Sequence, residues 1–303
     1  MRGSATFLLA LALAAPLAAQ PDGAGDDYVA AIDAWHAARI ERLLAPTGWL
    51  SLVGLHWLEP GRHRIGRAVD NDVVLNTGPE HLGWIALEDG QVRFVPQAGL
   101  DLRIDGAPAP AQGQVLRVEG GEGPSVVAFD AGEASFIVIR RGERLALRVR
   151  DARAPTRVGF AGIERFPVDP RWRVVARFVP HPPGKTLDIA TVLNTVEPMA
   201  NPGALEFELE GRRFRLEAIL EAPTDTSYFV IFADRTNRDE TYAAGRFVYT
   251  DGLPVDGQVV LDFNKAYNPP CALNAYSTCP LPPPENRMDL AVRAGEKRYR
   301  GPH

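Results

Sequence analysis

Apolar positions along this chain follow two rhythms. Between Tyr28 and Leu44, the residues Val29, Ile32, Trp35, Ile40 and Leu43-Leu44 recur at three- and four-residue steps, the spacing of one helical face. Asp26 and Asp27 open the run, Arg39 and Arg42 lie late in it, and Pro46 stops it, the charge order and terminator of a helix. From Trp49 the rhythm shortens to alternation. WLSLVGLHWLE, GRHRIGR, NDVVLN, GWIALED, QVRFVP, LDLRIDG, QVLRV, SVVAFDAG, ASFIVIRRG and RLALRVRD are short β-rich runs cut by Gly, Asn-Asp, Asp-Gly and Arg-Gly turns. Their regular spacing predicts a β-sandwich over 49–150 rather than βαβ units. ASFIVIRRG and RLALRVR form a hairpin turning at Arg141-Gly142-Glu143.

Proline punctuation through RDARAPTRVGFAGIERFPVDPRW marks a connector and a second domain over 151–303. ALEFELEG and RRFRLEAILE pair about Glu210-Gly211, and SYFVIFAD, GRFVYTD and GQVVLDFN continue as strands. An antiparallel β meander or partly closed barrel follows, since closure deals with exposed edges. The predicted fold class is therefore mainly β: an N-terminal helix within 20–48, packed against a sandwich, and then this second β domain.

Composition narrows the function classes. A formal net charge of −5 and a pI near 5.7 argue against a nucleic-acid partner. Residues 1–19 read as an export signal: one early Arg2, an apolar run, and small residues Ala18-Ala19 before Gln20. That run is short for a bilayer span, so the expected mature chain has no transmembrane segment and is periplasmic or secreted. In such a compartment Cys271 and Cys279, the only cysteines, are expected to form a disulfide that braces the loop 262–287.

Two resemblances bear on the reading. GRHRIGRAVDNDVVLN, with EHLGWIALEDGQVRFVP and LRIDGAPAPAQGQVLRV, resembles the core of a forkhead-associated domain. Gly66-Arg67, Asn71-Asp72, His81 and Asp105-Gly106 match that family's order, but Gly78 stands where its phosphate-binding serine would be. The resemblance implies a β-sandwich, and the missing serine argues against phosphopeptide reading. The second half, with RFPVDPRWRVVARF, FADRTNRDETYAAGRFVY and the NPPC…CPLPPPEN block, resembles the domain-of-unknown-function 1684 family, as does GWLSLVGLHWLEPG upstream. This resemblance covers most of the mature chain. It implies a shared fold and exported members, and no established reaction.

Candidate chemistry collects around 262–287. Arg246 and Arg287 form a potential fork for an anion. Tyr242 and Tyr267, beside Asn264, Asn268 and Asn286, suit a sugar or a planar apolar ligand. These residues point first to an unidentified small molecule and a binding or accessory protein. Glu285 and Asp262 are the candidate pair for acid–base hydrolysis, the second reading. A structural interaction module using the sandwich face around Arg67 is the third. Whether the protein is an enzyme stays open, because neither GxSxG, HExxH nor a phosphate-binding glycine loop occurs. No cofactor is implied. His56 and His63, facing each other across a turn at Pro60-Gly61, fall short of the ligand count of a metal site.

Overall fold

The computed structural model describes residues 23–303, so the expected export signal over 1–19 lies outside the described residues. Helix α1 (Gly23–Leu44) begins a few residues before Asp26 and ends just before Pro46. Eleven strands follow to Asp151: β1 (Leu52–Trp57), β2 (Gly61–Gly66), β3 (Val73–Val74), β4 (Gly83–Glu88), β5 (Gln91–Pro96), β6 (Arg103–Ile104), β7 (Ala107–Pro108), β8 (Gln114–Leu116), β9 (Val127–Phe129), β10 (Ala134–Arg141) and β11 (Arg144–Asp151). They form two sheets, ordered β1-β11-β10-β9-β6-β7 and β3-β2-β4-β5-β8. Alternation explains the sandwich. Leu145, Leu147 and Val149 of β11 join Phe136 and Val138 of β10, and Ile65, Ile85 and Phe94 of the other sheet, in one core.

The outward residues of the same strands are not left to solvent. Ile137, Ile139 and Ala146 are buried in a small cluster with Leu55 and Trp57, and Arg148 beside them is 2% exposed. The loop carrying the cysteines lies against this face: Arg141 Nε donates to Thr278 Oγ1 at 2.7 Å.

The second half contains β12 (Arg173–Pro180), β13 (Thr186–Ala190), β14 (Val196–Leu209), β15 (Arg212–Leu220), β16 (Phe229–Phe232), β17 (Arg246–Tyr249) and β18 (Gln258–Asp262). Glu210 and Gly211, both at positive φ, make the two-residue turn between β14 and β15, a geometry whose twist suits a hairpin. The sheet runs β17-β16-β15-β14-β12-β18, with β13 on β14. A bridge between Thr250 and Leu261 brings its two ends together, so the sheet curls into a partly closed barrel.

The barrel is filled from outside the sheet. Met288, Leu290, Val292 and Ala294, alternating in an extended tail, pack with Trp172, Leu205, Phe232, Val248 and Phe263. Some of the tail's carbonyls accept from loop backbone, as Leu290 does from Arg235 N and Gly295 from Phe166 N, and a buried side chain serves those of Val292 and Ala294. Arg246, 0% exposed, pairs with Asp234 at 2.8 Å and donates to the carbonyls of Val292, at 2.7 Å, and Ala294. Asp234 Oδ1 accepts from Val292 N at 3.2 Å.

The expectation that helix α1 packs against the sandwich is corrected. Its polar anchors all reach the second half. Tyr28 donates to Asp262 at 2.8 Å, Asp33 pairs with Arg165, and Arg39 forks onto Glu296 through Nε at 2.6 Å and Nη2 at 3.2 Å. The physical reason is that Asp262 and Glu296 are each 1% exposed and need donors, which one face of the helix supplies.

Candidate functional site

A cavity of about 460 Å³ lies where the barrel's outer surface, the 267–280 loop, helix α1 and the end of β10 meet. Each wall follows from a local periodicity. Trp35, Arg39, Arg42 and Leu43 occupy one helical face, at steps of four, three and one. On β16 and β17, residues alternate between barrel interior and exterior. Arg246 and Val248 point inward, while Phe247 and Tyr249 join Phe229 on the cavity wall. Tyr267 bridges back to Phe247 by paired backbone bonds of 3.0 and 2.9 Å and so presents its ring to the same space.

Aromatic rings dominate. Trp35 lies 6.5 Å from Tyr267, Phe247 meets Tyr267 edge-on at 5.8 Å, and Tyr249 stacks on Tyr267 at 6.4 Å with an interplanar angle of 11°. The Arg39 guanidinium sits 4.3 Å from the Tyr267 ring centre while bonded to Glu296 and to the Asn268 carbonyl. Cation–π contact and the bidentate fork together fix that ring. On the opposite side Tyr249 donates to Glu221. Crowding by its neighbours raises the Glu221 carboxyl above the ordinary carboxylate range; the Tyr249 hydrogen bond partly offsets this, and Asp225 adds to it. The Tyr249 and Tyr267 hydroxyls are both held well above the usual phenol value, chiefly by desolvation.

The residues singled out from sequence divide sharply. Tyr267 and Asn268 line the cavity, and Cys279 forms part of its edge. Arg246 is one residue off the cavity face and serves the tail inside the barrel; its acid partner is Asp234. Asn286, fully buried, accepts from Glu217 N at 2.6 Å and donates to the carbonyls of Glu217 and Ile231, tying the proline-rich loop to β15 and β16. Asn264 Nδ2 bonds the Asp169 carbonyl at 2.9 Å and Asp262 at 3.0 Å, a loop cap rather than a ligand contact. Tyr242 reaches the Cys271 carbonyl at 3.4 Å, and Arg287 is exposed with a 3.4 Å bond to the Pro282 carbonyl. Glu285 is exposed, while Asp262 is buried beneath Tyr28, so the two carboxylates occupy unlike surroundings with no shared partner among the described residues.

The cysteines stand as two free thiols facing each other rather than as a closed bond. Cys271 N donates to the Cys279 sulfur at 3.1 Å and Cys279 N to the Cys271 sulfur at 3.3 Å. A side-chain hydrogen bond between the two thiols, together with burial, raises the Cys279 thiol, and the same hydrogen bond lowers that of Cys271, leaving Cys271 the more acidic member.

At the forkhead-like positions, Arg67 is exposed and donates to the Gly78 carbonyl at 3.2 Å. Gly78 has φ +97°, and a Cβ there would lie 2.7 Å from the Phe129 ring, so a serine does not fit. Among the described residues, no group of three or more His, Cys, Asp or Glu side chains is arranged to hold a metal.

Sequence reasoning missed Trp35, Trp49, Arg39, Arg141, Glu221 and Tyr249 as cavity residues. For Phe247 and Tyr249 a signal existed: strand parity places them opposite Arg246. For Trp49 and Arg141 none did, because only tertiary packing brings them to the barrel.

A family model described as "Protein of unknown function (DUF1684)" matches residues 158–297. A solved structure, the solution NMR structure of an uncharacterized protein from Haloarcula marismortui, is 33% identical to this chain; the match covers 46% of this chain and 77% of that one, with a TM-score of 0.38. The chain belongs to the DUF1684 family. The family match spans the connector, the barrel and most of the tail, and starts well after Trp49, although the resemblance read from the sequence reaches further toward the N-terminus. In this DUF1684 protein the first half is a two-sheet sandwich, and the family match does not extend to its forkhead-like positions. No curated protein matches the chain.

Proposed function

We propose that this DUF1684 protein is an exported, periplasmic or secreted small-molecule-binding protein, and that its ligand occupies the cavity beside the 262–287 loop. The observation that carries the reading is the aromatic cavity itself. Its volume of about 460 Å³ falls in the range of small-ligand sites. Its walls combine Trp35, Trp49, Phe229, Phe247, Tyr249 and Tyr267 with a few polar groups, the pattern that orients a planar or apolar body. Arg39, Glu296 and Asn268 hold the rings before any ligand arrives, which lowers the ordering cost of binding. Export is supported by the leader pattern over 1–19 and by two cysteines already facing each other. The paired-carboxylate hydrolase draws no support from an exposed Glu285 and a buried, capped Asp262.

A thermal-shift screen of aromatic and alicyclic small molecules tests the binding reading. A ligand present at about 100 times its Kd stabilises the native state by roughly 2.7 kcal/mol. Hits should weaken in Trp49→Ala and Tyr249→Ala. A screen without hits, or hits indifferent to both substitutions, would count against the cavity. Fractionation of cells and N-terminal sequencing test the export signal: an intact Met1 on cytoplasmic protein would remove it.

A further inference from the structure

Arg148 is an anomaly on the sandwich. It projects from the outer face of β11, where alternation predicts a solvated side chain, yet it is 2% exposed. Its Nη1 donates to Glu119 at 3.2 Å, but its Nε and Nη2 have no hydrogen-bond partner among the described residues. The guanidinium lies 5.3 Å from the ring centre of Trp49, a cavity residue. Such stacking softens burial of the charge but supplies no acceptor for the remaining N–H groups. Desolvation lowers its pKa to about 10, against the opposing pull of Glu119.

The surroundings carry surplus positive charge. Arg141 also binds Glu119, at 2.7 Å, and the Nε of Arg150 is buried without a partner among the described residues. Glu119 is thus the shared counter-charge for the guanidinium groups of Arg141 and Arg148, and it opposes the desolvation of Arg150 as well. Arg141 and Thr278 both line the cavity. Because the Thr278 oxygen accepts from Arg141 Nε, its own hydroxyl hydrogen is free to donate elsewhere.

We propose that the sandwich side of the cavity is an anion subsite, in which Arg141 and the Thr278 hydroxyl seat the acidic head, a carboxylate or a phosphate monoester, of a ligand whose planar apolar body lies against the aromatic wall, while Arg148, beside the Trp49 ring and outside the cavity lining, adds positive charge. The inference rests on the binding reading above and extends it to a ligand class. An acidic head against Arg141 offsets the surplus charge around Glu119. The barrel and helix then supply most of the aromatic wall, and Arg141 brings charge to it from the sandwich.

The test compares 2-naphthoate, 2-naphthyl phosphate and the neutral 2-naphthol by calorimetry on the full chain, with Arg148→Met and Arg141→Gln as variants. The proposal expects one or both anions to bind at least about tenfold tighter than 2-naphthol, with that preference shrinking as salt is raised. It expects each variant to weaken anion binding by about tenfold or more and to leave 2-naphthol unchanged. Which anion binds tighter identifies the carboxylate or the phosphate as the head group. Equal affinity for all three probes, or anion binding untouched by the variants, overturns the subsite while leaving the cavity reading in place. No binding of any probe, the neutral one included, overturns both. Arg141, being partly exposed, tolerates truncation if Arg148→Met fails to fold.

Discussion

Replacing Arg246 by methionine asks whether this residue holds the fold or meets a ligand. The side chain is fully buried; it neutralises Asp234 at 2.8 Å and satisfies the tail carbonyls of Val292 and Ala294. Arg246→Met keeps the length and apolar stem but strands a buried carboxylate, a change that costs about 3–5 kcal/mol when one member of a buried pair is lost. Two carbonyls lose their donor as well, each worth roughly 1–3 kcal/mol if left unpaired, although relaxation and overlap keep such figures from adding fully. Asp234 retains Thr236 N at 2.8 Å and Thr236 Oγ1 at 2.6 Å, which holds the loss toward the lower end. Set against a native stability of about 5–15 kcal/mol, a loss of about 3–5 kcal/mol is a large fraction of the total. Urea unfolding followed by far-ultraviolet circular dichroism measures it. Adding Asp234→Asn to Arg246→Met removes the stranded charge and should recover part of the loss. An Arg246→Met protein within about 1 kcal/mol of the parent, yet defective in binding, would refute the structural role and return Arg246 to the ligand.

Other outcomes follow from the same contacts. Asn286→Ala removes three bonds to the backbone of β15 and β16 and should cost about 2–3 kcal/mol in the same unfolding assay. Oxidation of the facing cysteines by glutathione disulfide should close a small ring worth roughly 2.5 kcal/mol, seen as a higher Tm that dithiothreitol reverses; an unchanged Tm after thiol titration shows the bond formed would contradict this. His56 is half-buried, its buried Nε2 has no partner among the described residues, and desolvation holds its pKa below the ordinary 6.5. The neutral ring is therefore the form that fits. Its contribution is complete above the unfolded-state value and is lost as pH falls through the lower folded value, so urea midpoints should drop under acid, less so in His56→Leu.

Where one face of a strand is buried, the amino-acid pattern was enough. ASFIVIRR and RLALRVRD alternate as the β10–β11 hairpin does, and Glu210-Gly211 carries the turn its composition implies. The barrel was legible as a meander because its hairpins are local. Its filling was not, although Met288 to Ala294 alternates plainly, since that segment lies inside the barrel without joining the sheet. The candidate loop neighbours the cavity, but composition could not tell inward from outward polar groups. Arg246, Asn264 and Asn286 attract notice because they are polar among apolar residues; that same setting is why the chain consumes them internally. Arg148 fails in the opposite sense: alternation marks it as solvated, and only a distant loop covers it. Parity along a strand is local information, whereas the identity of what covers a face is not.

The extended segment ending at Glu296 reaches back across the molecule, filling the barrel and receiving Arg39 from the first helix. A chain from which that segment has not yet emerged therefore lacks both the plug and the latch, and its barrel cannot settle until the segment arrives. Clipping that segment would act on the whole barrel and release the helix with it, as pulling a drawstring opens a bag.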